Sequence, residues 1–218
     1  MHVTRHLKLS ALPVLLSIIL LALPRPGLAQ TALTVDTLDV RIWPEFDKPS
    51  ALVIVGGQVS GAPGFPVDLT FALPATAALN AVAYDDGTGA LLTLESSVEG
   101  NLVTLTSPNG SFHIEFYDLA LNIDGQERSY DLNWAVGYPV AQATIEVQQP
   151  PTATGFTLTP AASRVTTDSF NLTSHIVEYS NLAADDPLTL SLTYQKADDS
   201  LTFEAFQPAG GGVSLSGD

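Results

Sequence analysis

The chain has 218 residues, 45% of them hydrophobic and 14% charged, which is the composition of a folded rather than a disordered protein. It has no cysteine, which excludes disulfides, thiolate metal centres and a cysteine nucleophile. A formal charge of −15 leaves no basic surface for neutralising phosphates, so nucleic acid is excluded as a partner.

Residues 1–29 read as a signal peptide. Arg5 and Lys8 form a positive start, and Leu9 to Leu23 supply an apolar stretch. Pro24-Arg25-Pro26-Gly27-Leu28-Ala29 then ends it, with small residues placed for cleavage after Ala29. The apolar stretch is interrupted by Pro13 and falls short of the roughly 20 residues needed to span hydrocarbon. Losing Arg5, Lys8 and Arg25 with this segment leaves five basic residues against 23 acidic ones, a net −18. Export without cysteine fits a bacterial secreted or extracytoplasmic protein, with cell-surface anchoring as an alternative.

From residue 30 onward the period is two. Leu38, Val40 and Ile42 alternate with Asp39, Arg41 and Trp43. Val67, Leu69, Phe71 and Leu73 alternate with small or polar residues, as do Phe112, Ile114 and Phe116. The same pattern carries Tyr130, Leu132, Trp134 and Val136, and then Leu188, Leu190, Leu192 and Tyr194. Each run describes a half-buried strand of an antiparallel sheet. Asp85-Asp86-Gly87-Thr88-Gly89, Pro108-Asn109-Gly110 and Asp124-Gly125 mark turns between them. The fold class is all-β, an antiparallel β-sandwich of about fourteen short strands.

A shift of 91 residues superposes Trp43 on Trp134, Ile54 on Ile145, Ala62 on Ala153, Gly64 on Gly155 and Phe65 on Phe156. With the length of the mature chain, this points to two immunoglobulin-like domains in tandem, 33–119 and 120–207, followed by a flexible Gly/Ser tail at 208–218. The pair Pro150-Pro151 offers a rival boundary.

The search for chemistry yields little. His113 and His175 sit on different strands and do not suggest a metal site. No G-x-S-x-G elbow presents a serine. Loop acids could pair for glycoside hydrolysis (Glu45 with Asp47, Asp85 with Asp86, Asp118 with Asp124 and Glu127), but acids in β-turns ordinarily cap the turn. Asn122 to Glu127 holds calcium-type oxygen ligands without the spacing of a dedicated loop. The expectation is therefore no catalytic residue, no metal and no cofactor.

The remaining lead is aromatic. Trp134 shares parity with core residues. Trp43 instead falls on the polar face with Asp39 and Arg41, and is followed by Pro44-Glu45-Phe46-Asp47-Lys48-Pro49. An exposed indole beside carboxylates could stack on a sugar and accept its hydroxyl hydrogens, so Trp43, Glu45, Phe46 and Asp47 are the candidate ligand-binding residues. The competing expectation is that Trp43 folds over a domain edge.

The segments Ile42 to Pro49 and Tyr179 to Lys196, the latter through Leu188-Thr189-Leu190-Ser191-Leu192-Thr193-Tyr194, resemble a group of uncharacterised bacterial exported proteins with β-sandwich ectodomains. The resemblance implies a topology and, in longer members, a polar linker with a C-terminal membrane anchor. It implies no activity. The functional expectation is a non-enzymatic binding, spacer or display module meeting a protein or glycan at the cell surface. Carbohydrate binding through the Trp43 loop is the alternative, and a carboxylate-pair hydrolase is the less favoured one.

Overall fold

Alternating apolar residues give this chain strands from one end to the other of residues 33–206, which are the residues that the computed structural model describes. The signal segment and the tail of the sequence reading lie outside them. Fifteen strands follow in order: β1 (Thr34–Pro44), β2 (Ala51–Ser60), β3 (Val67–Ala72), β4 (Ala77–Asp85), β5 (Leu91–Thr93), β6 (Ser96–Glu99), β7 (Leu102–Ser107) and β8 (Ser111–Asp118). Then come β9 (Asn122–Asp124), β10 (Glu127–Ala135), β11 (Val140–Gln148), β12 (Thr154–Thr159), β13 (Arg164–Thr167), β14 (Thr173–Leu182) and β15 (Pro187–Gln195), with a short 3₁₀ turn over Thr202–Phe206.

The strands form an all-β sandwich. One layer is an eight-stranded sheet in the order β13-β14-β11-β1-β2-β8-β4-β5. The other consists of a four-stranded sheet, β12-β15-β10-β9, and a three-stranded sheet, β3-β7-β6. Phe71 of β3 packs 4.7 Å from Phe112 of β8. On the other half, Phe156 of β12 stacks 4.5 Å from His175 of β14. The inward residues Val40, Ile42, Val53, Val55, Ile114 and Phe116 are fully buried between the layers. β2 departs from alternation, with Leu52-Val53-Ile54-Val55 apolar throughout. Leu52 and Ile54 point outward yet are only 7% and 8% exposed, so the first half of this central strand is covered on both faces.

The tandem-domain expectation does not describe these sheets. The first strand, β1, pairs antiparallel with β2 on one side and parallel with β11 on the other, so strands from both halves of the chain share one sheet. Residues from both halves also share one hydrophobic core, and residues 33–206 cluster as one compact unit. The 91-residue shift equates β1 with β10 and β2 with β11. Yet β1 and β2 are neighbours in one sheet, whereas β10 and β11 lie in different sheets. The coincidence of Trp43 with Trp134 is a similarity of alternation, not a duplicated fold. Pro150-Pro151 marks a turn, closed by the Ala153 amide donating to the Pro150 carbonyl at 2.9 Å, at which the chain passes from the eight-stranded to the four-stranded sheet.

A shared core and a shared sheet make folding one cooperative event. Scanning calorimetry of the chain without residues 1–29 is expected to give a single endotherm with equal calorimetric and van't Hoff enthalpies. Two separated transitions would show that the halves fold independently.

Candidate functional site

The loop that joins β1 to β2 was the strongest sequence lead, and its geometry gives it a structural task. Glu45 adopts a positive φ of 47°, and its amide donates to the Ser50 carbonyl at 2.9 Å, which closes the loop. The strained backbone turns the Glu45 side chain inward, where it is 2% exposed. Its Oε1 lies 3.3 Å from Arg128 Nε and 3.5 Å from Lys196 Nζ, and its Oε2 accepts from the Tyr194 hydroxyl at 2.7 Å. Arg128, fully buried at the start of β10, also donates to the Gly125 carbonyl at 2.6 Å and to Asp199 at 3.1 Å. Lys196 donates to the Ser200 carbonyl and lies 3.4 Å from Asp198. The chain after β15 is then pinned back onto the same loop: Thr202 donates to the Glu45 carbonyl and Phe203 to the Phe46 carbonyl, at 2.9 and 2.8 Å.

This arrangement overturns the reading of Glu45 as a sugar-binding carboxylate, because both of its oxygens are committed inside the protein. Trp43 keeps its parity with Asp39 and Arg41 but is half-buried, 4.8 Å from the Phe46 ring, which in turn lies 6.2 Å from Phe203. Asp47 accepts from the Tyr117 hydroxyl at 2.8 Å, while Lys48 Nζ sits 3.5 Å over the Tyr117 ring. Desolvation, reinforced by Asp47, pushes the Tyr117 hydroxyl up to about 12. Trp43, Glu45, Phe46 and Asp47 are thus brought together, but as a clasp over the end of the sheet.

A second buried carboxylate repeats the device. Asp118, grouped in the sequence with the loop acids Asp124 and Glu127, is 2% exposed at the end of β8 and apart from them in role. It accepts from Tyr130 at 2.9 Å, from Thr76 at 2.5 Å and from the Ala120 amide at 3.0 Å. Burial, then the negative charge of Asp118, holds the Tyr130 hydroxyl well above its ordinary value. Burial and Glu45 do the same for Tyr194.

The pair Asp85 and Asp86 belongs to the β4–β5 turn. Asp85 Oδ1 accepts from the Gly87 and Gly89 amides at 2.7 and 3.2 Å, and Asp86 Oδ1 from Thr88, so these acids cap the hairpin. That hairpin forms the wall of a trough of about 440 Å³ on the outer face of the eight-stranded sheet. The floor is built by β1, β2 and β8, whose register sets Asp39 beside Gly56 and Gly56 beside His113. Gly56 opens the trough: a Cβ there would meet nothing nearer than the Phe112 carbonyl at 3.9 Å. His113 is bound to Glu115 at 2.9 Å. Asp39 and Arg41 are exposed, and among the described residues neither has a side-chain hydrogen-bond or ion-pair partner. Their shared parity with Trp43 was visible in the sequence. The trough was not, because it needs the β2–β8 register.

No family model matches the chain, and no curated protein matches it. Among solved structures it is similar to an M1 zinc metallopeptidase from Deinococcus radiodurans, at 13% identity and a TM-score of 0.46, over 76% of this chain and 43% of that one. A substituted form of that enzyme bound to a Tyr-Ser-Ala substrate matches over the same shares, also at 13% identity and a TM-score of 0.46. A two-domain M1 zinc metallopeptidase bound to L-arginine matches at 13% identity and 0.46, over 75% and 42%. The chain spans less than half the length of these neighbours, and a likeness at this level supports no statement about activity.

Two outcomes follow from the clasp. Replacing Arg128 by Ala leaves the buried Glu45 carboxylate with Lys196 as its one remaining cation among the described residues and is expected to cost about 3 kcal/mol in urea unfolding. A change below about 1 kcal/mol would mean that the pair is not buried in solution. The pH dependence has a definite sign. Below pH 10 Tyr130 and Tyr194 are protonated in both folded and unfolded chains. Above it the unfolded chain releases protons that the folded chain keeps, so stability falls as pH rises. The melting temperature is expected to decline from about pH 10 upward, and the Tyr130→Phe, Tyr194→Phe double variant to decline less over that range.

Proposed function

We propose that this protein is a non-enzymatic extracytoplasmic module that binds a ligand at the bacterial cell surface and displays it there. The observation that carries the reading is the trough over Gly56, where an acid and a base that the fold leaves uncommitted face solvent from the central strand of a broad sheet. The buried ionisable groups Glu45, Arg128, Lys196 and Asp118 are occupied with one another and with the backbone, a use of charge that favours rigidity over turnover. Export rests on residues 1–29 of the sequence, and the acidic charge keeps the module soluble. The glycan-binding alternative built on Trp43, Glu45, Phe46 and Asp47 loses its support with the burial of Glu45.

Two measurements test the reading. N-terminal sequencing of the product recovered outside the cytoplasm is expected to begin at Gln30. A product that stays in the cytoplasm and begins at Met1 would remove the export half of the proposal. Incubation with peptide, polysaccharide and ester panels is expected to show no turnover. Hydrolysis of any of them that disappears on Asp39→Asn would make the trough an active site and end the non-enzymatic reading.

A further inference from the structure

The polar groups around the trough are unequally employed. His113 is held by Glu115, Asp85 caps its own turn, and the Asn109 and Ser111 side chains both donate to the Asp85 carbonyl, at 2.7 and 2.9 Å. The charged side chains that remain free to meet a ligand are the Asp39 carboxylate and the Arg41 guanidinium, with the exposed Thr37 hydroxyl beside them. Asp39 and Arg41 are two residues apart on one strand, so their side chains leave the same face about 7 Å from each other. Exposed apolar surface is at hand in Leu91, 52% exposed, on the wall, while Ile54 lies buried in the floor.

Complementarity to that pattern is specific. A simple anion would find Arg41 but face Asp39, and a simple cation would leave Arg41 unanswered. A sugar ring needs an exposed aromatic face to stack on, and of the two rings lining the trough among the described residues Phe112 is 2% exposed beneath Gly57 and the His113 imidazole is 13% exposed and held by Glu115. A short peptide carries an ammonium and a carboxylate about 7–10 Å apart when its two or three residues are extended, with an apolar side chain between them.

We propose that the trough over Gly56 binds a short peptide through both of its free termini, the carboxylate on Arg41 and the ammonium on Asp39, with an aliphatic side chain against Leu91. The assignment deepens the binding-module reading and rests on it.

The test uses the folded chain without residues 1–29 and the free tripeptide Ala-Leu-Ala, followed by amide chemical-shift mapping. Saturable shifts are expected at residues 37–41, 54–58 and 91, with N-acetylation or C-amidation of the peptide each weakening binding about tenfold or more. Arg41→Gln should erase the preference for the free carboxylate, and Asp39→Asn the preference for the free ammonium. Gly56→Val, which adds side chain into open space, should abolish binding and leave the melting temperature nearly unchanged. Equal binding of capped and free peptides, survival of binding in Gly56→Val, or no saturation below about 10 mM would overturn the peptide assignment. If cellohexaose shifts the trough residues where the tripeptide does not, the ligand class is wrong and the binding module stands. If no probe shifts them, both readings fail.

Discussion

The buried carboxylate of Glu45 is the interaction on which the rest of this structure depends. Three donors from two other strands converge on its two oxygens: Arg128 from β10, and Tyr194 and Lys196 from the end of β15. Removing a carboxylate and two cations from water is costly, and mutual attraction offsets that cost only where the remaining hydrogen-bonding positions are filled. Here they are filled by the Gly125 and Ser200 carbonyls and by Asp199 at the rim. Asp118 and Tyr130 make the same kind of link from β8 to β10. Because β1 and β8 lie in one layer and β10 and β15 in the other, these bonds close the end of the sandwich across its two layers. They also join the first half of the chain to the second, which is why the two halves cannot be separate bodies.

This closure determines which charges are left for the surface. Five basic residues lie within residues 33–206: Arg41, Lys48, Arg128, Arg164 and Lys196. Arg128 and Lys196 are consumed by Glu45, and Lys48 lies over the Tyr117 ring. Arg41 and Arg164 remain, and Arg41 alone of these lines the trough. On so acidic a chain an uncommitted guanidinium at the middle of a sheet carries more information than any of the many carboxylates. The floor beneath it is a central strand buried on its inner face and open to the trough at Gly56, so the position of Arg41 relative to Gly56 is set by strand register and not by loop conformation.

Much of the fold was legible because burial with period two is a local signal. The alternation at Tyr130 to Trp134 and Leu188 to Tyr194 reports the core face correctly, and the Asp85 to Gly89 turn declares itself through its own side chains. What escaped was long-range. Nothing local distinguishes β1 paired in parallel with β11 from β1 belonging to a separate domain, since both leave the same alternation. The fate of Glu45 was equally hidden. In sequence it is one loop acid among several. Its burial depends on a positive φ and on partners 83, 149 and 151 residues away, the last being Lys196. Trp43 was half legible: its parity placed it on the outer face, but the Phe46 ring beside it arrives from a loop and is itself backed by Phe203 from beyond the last strand.

The contrast between Glu45 and Asp39 separates a carboxylate committed to the fold from one the fold leaves to solvent. Both are acids at or beside β1. Glu45 is inside, satisfied by a hydroxyl and two cations, and its replacement would be felt in stability. Asp39 is outside, in register with a glycine, and spends its solvation on water. A ligand that meets Asp39 must compensate for that water, and a charged partner does so more fully than a neutral hydroxyl. The large negative field of the chain draws cations toward the sheet but does not discriminate among them. In the proposed site Arg41 is the group that would discriminate, by favouring a ligand that brings its own negative charge to a surface that otherwise repels it.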